Sequence, residues 1–237
     1  MPEQRNSIPS LIDNFVVPVC QQQVQIVYQD DDILLLNKPS GLLSLSGKNP
    51  LNWDSVHYRL VHGQPGITPA FTTAKLPHRL DFGTSGLMLV GLNAPASKHL
   101  NQQFQARTIK KRYMAMLSGW LAQDEGQISA PIAKDKQLFP RVKLCATTGK
   151  TALSDYKVLQ RLSEPERTLV QFTPLTGRTH QLRIHSLAIN HPILGCDLYH
   201  NADSTGQAER LCLHASELSF QHPSSGKQLT IHSAVEF

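Results

Sequence analysis

Residues 77–92 read PHRLDFGTSGLMLVGL. His78-Arg79-Leu80-Asp81 comes first, the small-residue turn Gly83-Thr84-Ser85-Gly86 follows, and the apolar run 87–90 ends the stretch. An almost unbroken apolar run bounded by a turn reads as a strand with both faces covered. Arg79 and Asp81 stand just before the turn into that strand. Alone, such a charged tetrapeptide reads as a solvated loop, with Asp81 capping the Gly83 turn. The other reading is that strand and turn hold the carboxylate for chemistry. The surrounding chain has to decide.

Upstream, residues 1–23 show no clear periodicity and read as an irregular lead-in. Residues 24–28 and 33–36 read as strands around the acidic turn Asp30-Asp31-Asp32. Asn37-Lys38-Pro39-Ser40-Gly41 stops the second strand, with Pro and Gly supplying the turn. Trp53, Val56, Leu60 and Val61 recur at helical spacing and predict a helix over 52–62. The Pro/Gly/Thr-rich segment 65–77 is a loop that delivers the chain to His78. Downstream, Asn93 caps a helix with Pro95 in its first turn and Ala96, Leu100 and Phe104 as its buried stripe. Strands are predicted over 110–119, 151–162, 168–172, 211–220 and 228–232. A helix over 179–190 carries His180, Ile184, Leu187 and Ala188 on one side and Arg183 on another. Many strands with few intervening helices give an α+β fold built on a largely antiparallel mixed sheet, flanked by helices and loops.

Composition narrows the function classes. A chain of 237 residues buries enough surface to hold a core without disulfides or metal, as one large domain or two lobes. No apolar stretch approaches the ~20 residues of a membrane helix, and MPEQRNSIPS lacks the regions of a signal peptide, so a cytoplasmic protein is expected. Cys20, Cys145, Cys196 and Cys212 are far apart and form no CxxC pair. The eleven histidines show no metal-ligand spacing, and Arg183 between His180 and His185 would repel a cation, so no metal site is expected. Neither a P-loop nor a GxGxxG motif occurs, and no cofactor is expected. The net charge of +5 permits a polyanionic partner. Arg107, Lys110, Lys111 and Arg112 form one basic group, and Lys134, Lys136, Arg141 and Lys143 a looser second. Near functional motifs, such groups favour phosphate contacts.

The second basic motif, Gly177-Arg178-Thr179-His180-Gln181-Leu182-Arg183-Ile184-His185, carries the most weight beside HRLD. Together with Lys111-Arg112-Tyr113, Asn37-Lys38-Pro39-Ser40-Gly41 and Leu213-His214-Ala215, it makes the chain resemble the RluA family of RNA pseudouridine synthases from about residue 24 to the C-terminus. The resemblance implies a catalytic domain over 24–237 that isomerises uridine in ribosomal RNA, transfer RNA or both. It makes Asp81 the nucleophile, sets Arg183 beside Asp81 as its ion-pair partner, and packs Tyr113 against the target base. Arg79 is associated with displacing the target nucleotide, and Lys110, Lys111 and Arg112 with the RNA backbone. It implies no cofactor, no membrane, no obligate protein partner and a monomer.

The chemistry fits those residue types. Pseudouridine formation breaks the bond from uracil N1 to ribose C1′, turns the base, and joins C5 to C1′. One ionised carboxylate can attack the sugar or take a proton from it, as a retaining glycosidase uses its nucleophile. An adjacent Arg keeps a buried carboxylate ionised. Flipping a stacked uridine costs a few kcal/mol, which phosphate contacts offset.

The chain departs from the family at Cys196, which occupies the position usual for an Asp, with Asp197 one place later. Too few residues precede the catalytic motifs to form an S4 RNA-binding domain, so the chain resembles the short members. Two rivals remain. A non-catalytic RNA-binding protein has no need of Asp81, Tyr113 and Arg183 together. A nucleoside or glycoside hydrolase wants a second carboxylate or a metal, and no matching acid motif is visible. His78, His180 and His185 are read as hydrogen-bonding and packing residues.

Overall fold

The computed structural model describes residues 16–64, 70–235 and 237. The expected lead-in and the 65–77 loop therefore lie partly outside the described residues. Within them, 16–24 contain neither helix nor strand. The elements in order are β1 (Gln25–Gln29), β2 (Ile33–Lys38), a 3₁₀ turn (Pro50–Asn52), α1 (Val56–His62), β3 (Ser85–Gly91), α2 (Ala94–Ala106), β4 (Lys110–Ser118), β5 (Glu125–Ser129), β6 (Ile132–Lys134) and β7 (Val142–Leu144). Then come β8 (Leu153–Ser163), β9 (Glu166–Pro174), α3 (Gln181–Ala188), β10 (Leu213–Gln221) and β11 (Gln228–His232).

A nine-stranded sheet runs β1-β2-β3-β10-β4-β9-β8-β5, with β11 on β10, and β6-β7 form a separate hairpin. Among the strand pairs of the described residues, only β3–β10 is parallel. The α+β architecture on a mixed, mostly antiparallel sheet is as expected.

The apolar run 87–90 forms an interior strand of this sheet, between β2 and β10. Every residue of β3 is buried. Leu87 and Leu89 join Ile33, Leu35 and Leu100 on one face, while Met88 and Val90 join Leu34, Leu36, Val56 and Leu60 on the other. Alternation at period two thus serves two cores at once, one under α2 and one under α1. Each such side chain contributes about 1.5–3 kcal/mol by burial, so a charge at Leu89 would break the core under α2. Gly86, the second residue of this strand, has φ 110°, and a Cβ there would lie 2.4 Å from the Ala215 carbonyl oxygen. Only glycine lets β3 approach β10 so closely.

Asn93 caps α2 as predicted, its side chain accepting from the Ala96 N–H, with Pro95 in the first turn. Three readings change. The helix over 52–62 starts only at Val56, where Ser55 caps it through the Tyr58 N–H. Trp53 sits before it and is 52% exposed. α3 begins after His180, whose φ of 53° takes it out of the helix. The side that carries Arg183 is covered as well, because Gln181–Ser186 are all buried. The short polar strands β5, β6 and β7 were not anticipated.

Candidate active site

At one level of the sheet, Gly86 neighbours Ala215, Ala215 neighbours Tyr113, and Tyr113 neighbours Phe172. This register sets the loop before β3 beside Tyr113 on β4. Asp81 lies in that loop, in a turn closed by the Thr84 N–H donating to the Asp81 carbonyl at 3.1 Å.

The loop is clamped by residues 38–44. Lys38 Nζ and the Gly41 N–H both donate to the Phe82 carbonyl, at 3.1 and 3.0 Å. Ser40 Oγ donates to the Gly83 carbonyl at 2.7 Å. Ser44 Oγ donates to the Leu80 carbonyl and accepts from the Leu80 N–H, at 2.7 and 3.1 Å. The backbone on both sides of Asp81 is therefore fixed, which is how a nucleophile is held in place. His78 adds a further tie: its Nε2 accepts from the Leu89 N–H at 2.9 Å, and its ring stacks on Phe104. Burial, with help from the Lys111 charge, pushes His78 down to about 3. It is a neutral structural acceptor, as the bonding-and-packing reading has it.

The Asp81 side chain is partly exposed and opens into a cavity of about 760 Å³. Tyr113, Arg79, Arg183, Lys110, Lys111 and Arg112 line the same cavity. All the sequence-predicted site residues thus meet in one place. Arg107 and Arg178 add positive charge, against the carboxylates of Asp81 and Glu217 alone. Such a cavity suits a base with its phosphates. Tyr113 is half-buried, and burial together with the Asp81 charge raises its hydroxyl well above the ordinary tyrosine range. It stays neutral, presenting a flat ring.

Comparison with known proteins agrees with this site. Residues 32–188 match the family model described as RNA pseudouridylate synthase. The chain is 43% identical over 212 residues to the "Dual-specificity RNA pseudouridine synthase RluA" of Yersinia pestis, covering 90% of this chain and 99% of that one. It is 39% identical to the protein of that name from Escherichia coli K12, over 90% and 93%. The solved structure of "Human RNA Pseudouridylate Synthase Domain Containing 1" aligns with a TM-score of 0.74 at 27% identity, over 92% of this chain and 85% of that one. The chain belongs to the RluA family of RNA pseudouridine synthases. It is an isomerase of RNA uridine.

In this synthase the charges differ from the expected pairing. Among the described residues no ion pair joins Arg183 to Asp81. Arg183 Nη2 instead holds Asp197, and its Nε donates to Cys196 Sγ at 3.3 Å. The physical reason is local: Cys196 offers only a sulfur, and the acid one position later reaches the guanidinium. Arg183 is 4% exposed. Burial works against its charge, but Cys196, Asp197 and Asp81 more than compensate and keep it cationic. Its influence on Asp81 is through space.

A titratable side chain close to Asp81 is one that the sequence reads as a packing residue. His180 Nε2 lies 4.0 Å from Asp81 Oδ1. Lys38 is the other missed residue. It is fully buried behind the Asp81 loop, and burial pulls its ammonium down to about 7, with Cys20 and Asp81 pulling the other way. The turn residues of its motif are legible in the sequence, but a buried ammonium is not.

The basic residues divide. Arg79 is exposed and, among the described residues, reaches only Thr179 Oγ1 at 3.5 Å. Lys110 is exposed. Lys111 is half-buried, lowered by burial and by Arg107. Arg112 is held by Glu217 at 2.8 Å. Gln181 organises the loop that carries Arg178 and His180: its Oε1 accepts from Thr176 Oγ1 and the Arg178 N–H, and its Nε2 donates to the Leu153 carbonyl and Ser154 Oγ.

Among the described residues, Asp30, Asp32 and His222 form one cluster of metal-capable groups. Its carboxylates are already engaged by Tyr28, His222, Asn93, Ser224 and backbone N–H groups. It does not line the cavity. No helix of the described residues is long and apolar enough to cross a membrane.

Proposed function

We propose that residues 24–237 form the catalytic domain of a cytoplasmic synthase that isomerises uridines in ribosomal RNA, transfer RNA or both, with Asp81 as nucleophile. The supporting observation is the meeting of Asp81, Tyr113 and Arg183 in one basic cavity. Relatives named as dual-specificity enzymes favour more than one RNA target.

On this reading, phosphates seat on Arg79, Lys110, Lys111 and Arg112, and the target uridine turns out of its stack into the cavity. Tyr113 lies against the base face. Asp81 attacks C1′ or takes a proton from the sugar as the N1–C1′ bond breaks, and the bonding electrons leave on the uracil. The delocalised uracil anion is kept in the cavity, rotates, and bonds through C5 to C1′. The new bond displaces the Asp81 carboxylate from C1′ or, on the proton route, the proton held by Asp81 returns to the sugar; the C5 proton goes to water and N1 takes one up. Arg183 and Lys38 supply positive charge around the carboxylate.

The test uses RNA carrying tritium at uridine C5. The purified protein, without added nucleotide and in EDTA, should release the label to water. Asp81→Asn should bind the RNA with unchanged affinity and release none. Substantial turnover by Asp81→Asn would remove Asp81 from the role.

A further inference from the structure

Tyr199 is 1% exposed and joins three elements around the site. Its hydroxyl oxygen accepts from the Val142 N–H at 2.7 Å and meets His180 Nδ1 at 3.0 Å. These are the hydroxyl's two partners. The Val142 contact uses an acceptor site, so the hydroxyl's own proton has one place to go, the ring nitrogen of His180. Were Nδ1 protonated instead, that hydroxyl proton would be buried without an acceptor, which is costly. The bond therefore fixes the neutral imidazole with its proton on Nε2. Nε2 is the nitrogen that faces Asp81 Oδ1 across 4.0 Å. His180 is held there by a left-handed backbone at φ 53° and ψ 20°, immediately before α3.

We propose that His180 is a positioning residue for Asp81: Tyr199 sets its tautomer, and its Nε2–H orients the carboxylate as substrate closes the site. The inference rests on the assignment of Asp81 as nucleophile. At 4.0 Å the contact is too long for a hydrogen bond in the free protein. Catalytic contacts of this kind are often long in the absence of substrate and tighten in the complex. A neutral donor suits the task. It orients one carboxylate oxygen without handing over a proton, so the other oxygen stays ionised. Burial, with Arg183 and Arg79 nearby, keeps His180 below the ordinary histidine range, while Asp81 and Asp197 oppose the shift. Those four, with Tyr199 on the far side, are the titratable and charged groups that face it.

Two measurements on the full chain test this. The first is the ¹⁵N spectrum of histidine-labelled protein at pH 7, with His180 assigned by its loss in His180→Asn. The expected result is a neutral ring bearing its proton on Nε2, which shifts to a mixture of tautomers in Tyr199→Phe. A ring protonated on Nδ1 overturns the proposal, whatever the enzyme's activity. The second is single-turnover kinetics with RNA affinity measured alongside. Asn accepts the left-handed backbone and keeps an acceptor for Tyr199, but cannot reach Asp81. Gln restores an N–H near the Nε2 position. His180→Asn should slow the chemical step about tenfold or more with affinity unchanged, and His180→Gln should recover most of the rate. Equal losses in both variants, or a loss confined to affinity, would mean that His180 only packs. A wild-type protein that releases no tritium would refute the proposed function and leave the tautomer result standing.

Discussion

Lys38→Met is expected to lower the stability of this synthase by about 2–4 kcal/mol, although it replaces a buried charge by an apolar chain of similar length. Lys38 has no solvent exposure, and its Nζ donates to the carbonyls of Pro39, Leu42 and Phe82 at 2.8, 2.7 and 3.1 Å. Those acceptors do not leave with the lysine. The Phe82 oxygen keeps the Gly41 N–H at 3.0 Å. The Leu42 oxygen is buried and loses its donor, at a cost of about 1–3 kcal/mol. The Pro39 oxygen is partly buried, so water replaces its lost bond in part. Relief from burying an ammonium opposes these losses. Replacing a whole buried ion pair by apolar residues is sometimes stabilising, because both partners go together. Here one side goes and the carbonyls stay, so the net effect is a loss.

For a chain of this length, 1 kcal/mol shifts the midpoint by about 2–4 °C, which gives a fall of roughly 5–15 °C. Thermal unfolding followed by circular dichroism measures it directly. Because Lys38 ties down the residue next to Asp81, the single-turnover rate should also fall at temperatures where the variant is fully folded. An unchanged or raised midpoint would refute the reasoning, showing that ammonium burial outweighs carbonyl satisfaction in this clamp.

Arg79→Ala should slow conversion of a structured stem-loop far more than that of a short flexible RNA with the same uridine, because extrusion costs least when the base is already unstacked. Equal losses on both, with a salt slope shallower by about one counterion, would leave Arg79 as a phosphate anchor. Stability should fall as pH drops from about 6.5 to about 4. His214 is buried against Ser85 and Ser233, and burial and Arg210 push it down to about 4. Its folded form is neutral, so between these values the unfolded chain binds more protons, and the contribution present above pH 6.5 is lost on acidification. The gap corresponds to roughly 3 kcal/mol, and urea titrations across this range should show a shallower fall for His214→Gln; parallel curves would count against the assignment.

What the sequence revealed follows from what is local. The run 87–90 announced a strand covered on both faces because its apolar side chains leave no solvent side, and Asn93 with Pro95 announced α2 because capping acts within one turn. The β10–β11 pair was legible from patterning, and β11 falls on the predicted bounds. The strands β5, β6 and β7 were not, being three to five residues long and mixed in polarity. The same limit explains the errors at the site. Helical spacing locates Arg183 on α3 but does not say which acid arrives from the loop after it. The Asn37–Gly41 motif reads as a turn because Pro and Gly suffice for one. Nothing local reveals that Lys38 satisfies a carbonyl 44 positions away. His180 was placed inside a helix because its left-handed backbone has no sequence signature.

The misplaced pairing also bears on the chemistry. A carboxylate gripped at two points by a guanidinium gives up lone pairs that a nucleophile or base needs. Here the Nη2 and Nε groups of Arg183 are engaged by Asp197 and Cys196. Among the described residues the Asp81 carboxylate accepts no hydrogen bond, and His180 stands off at 4.0 Å. Positive charge still faces it from Arg183 in the cavity wall, while Lys38 behind the loop, pulled down to about 7, adds only part of a charge. Charge at such range acts more strongly once a bound base excludes water from the cavity. On the proposed reading, the Asp81 oxygens stand free in the unliganded site, one to be oriented by His180 as substrate closes it and the other to face the sugar. Arg183 then acts on turnover through its field, and Asp197 is the group that holds that field in place.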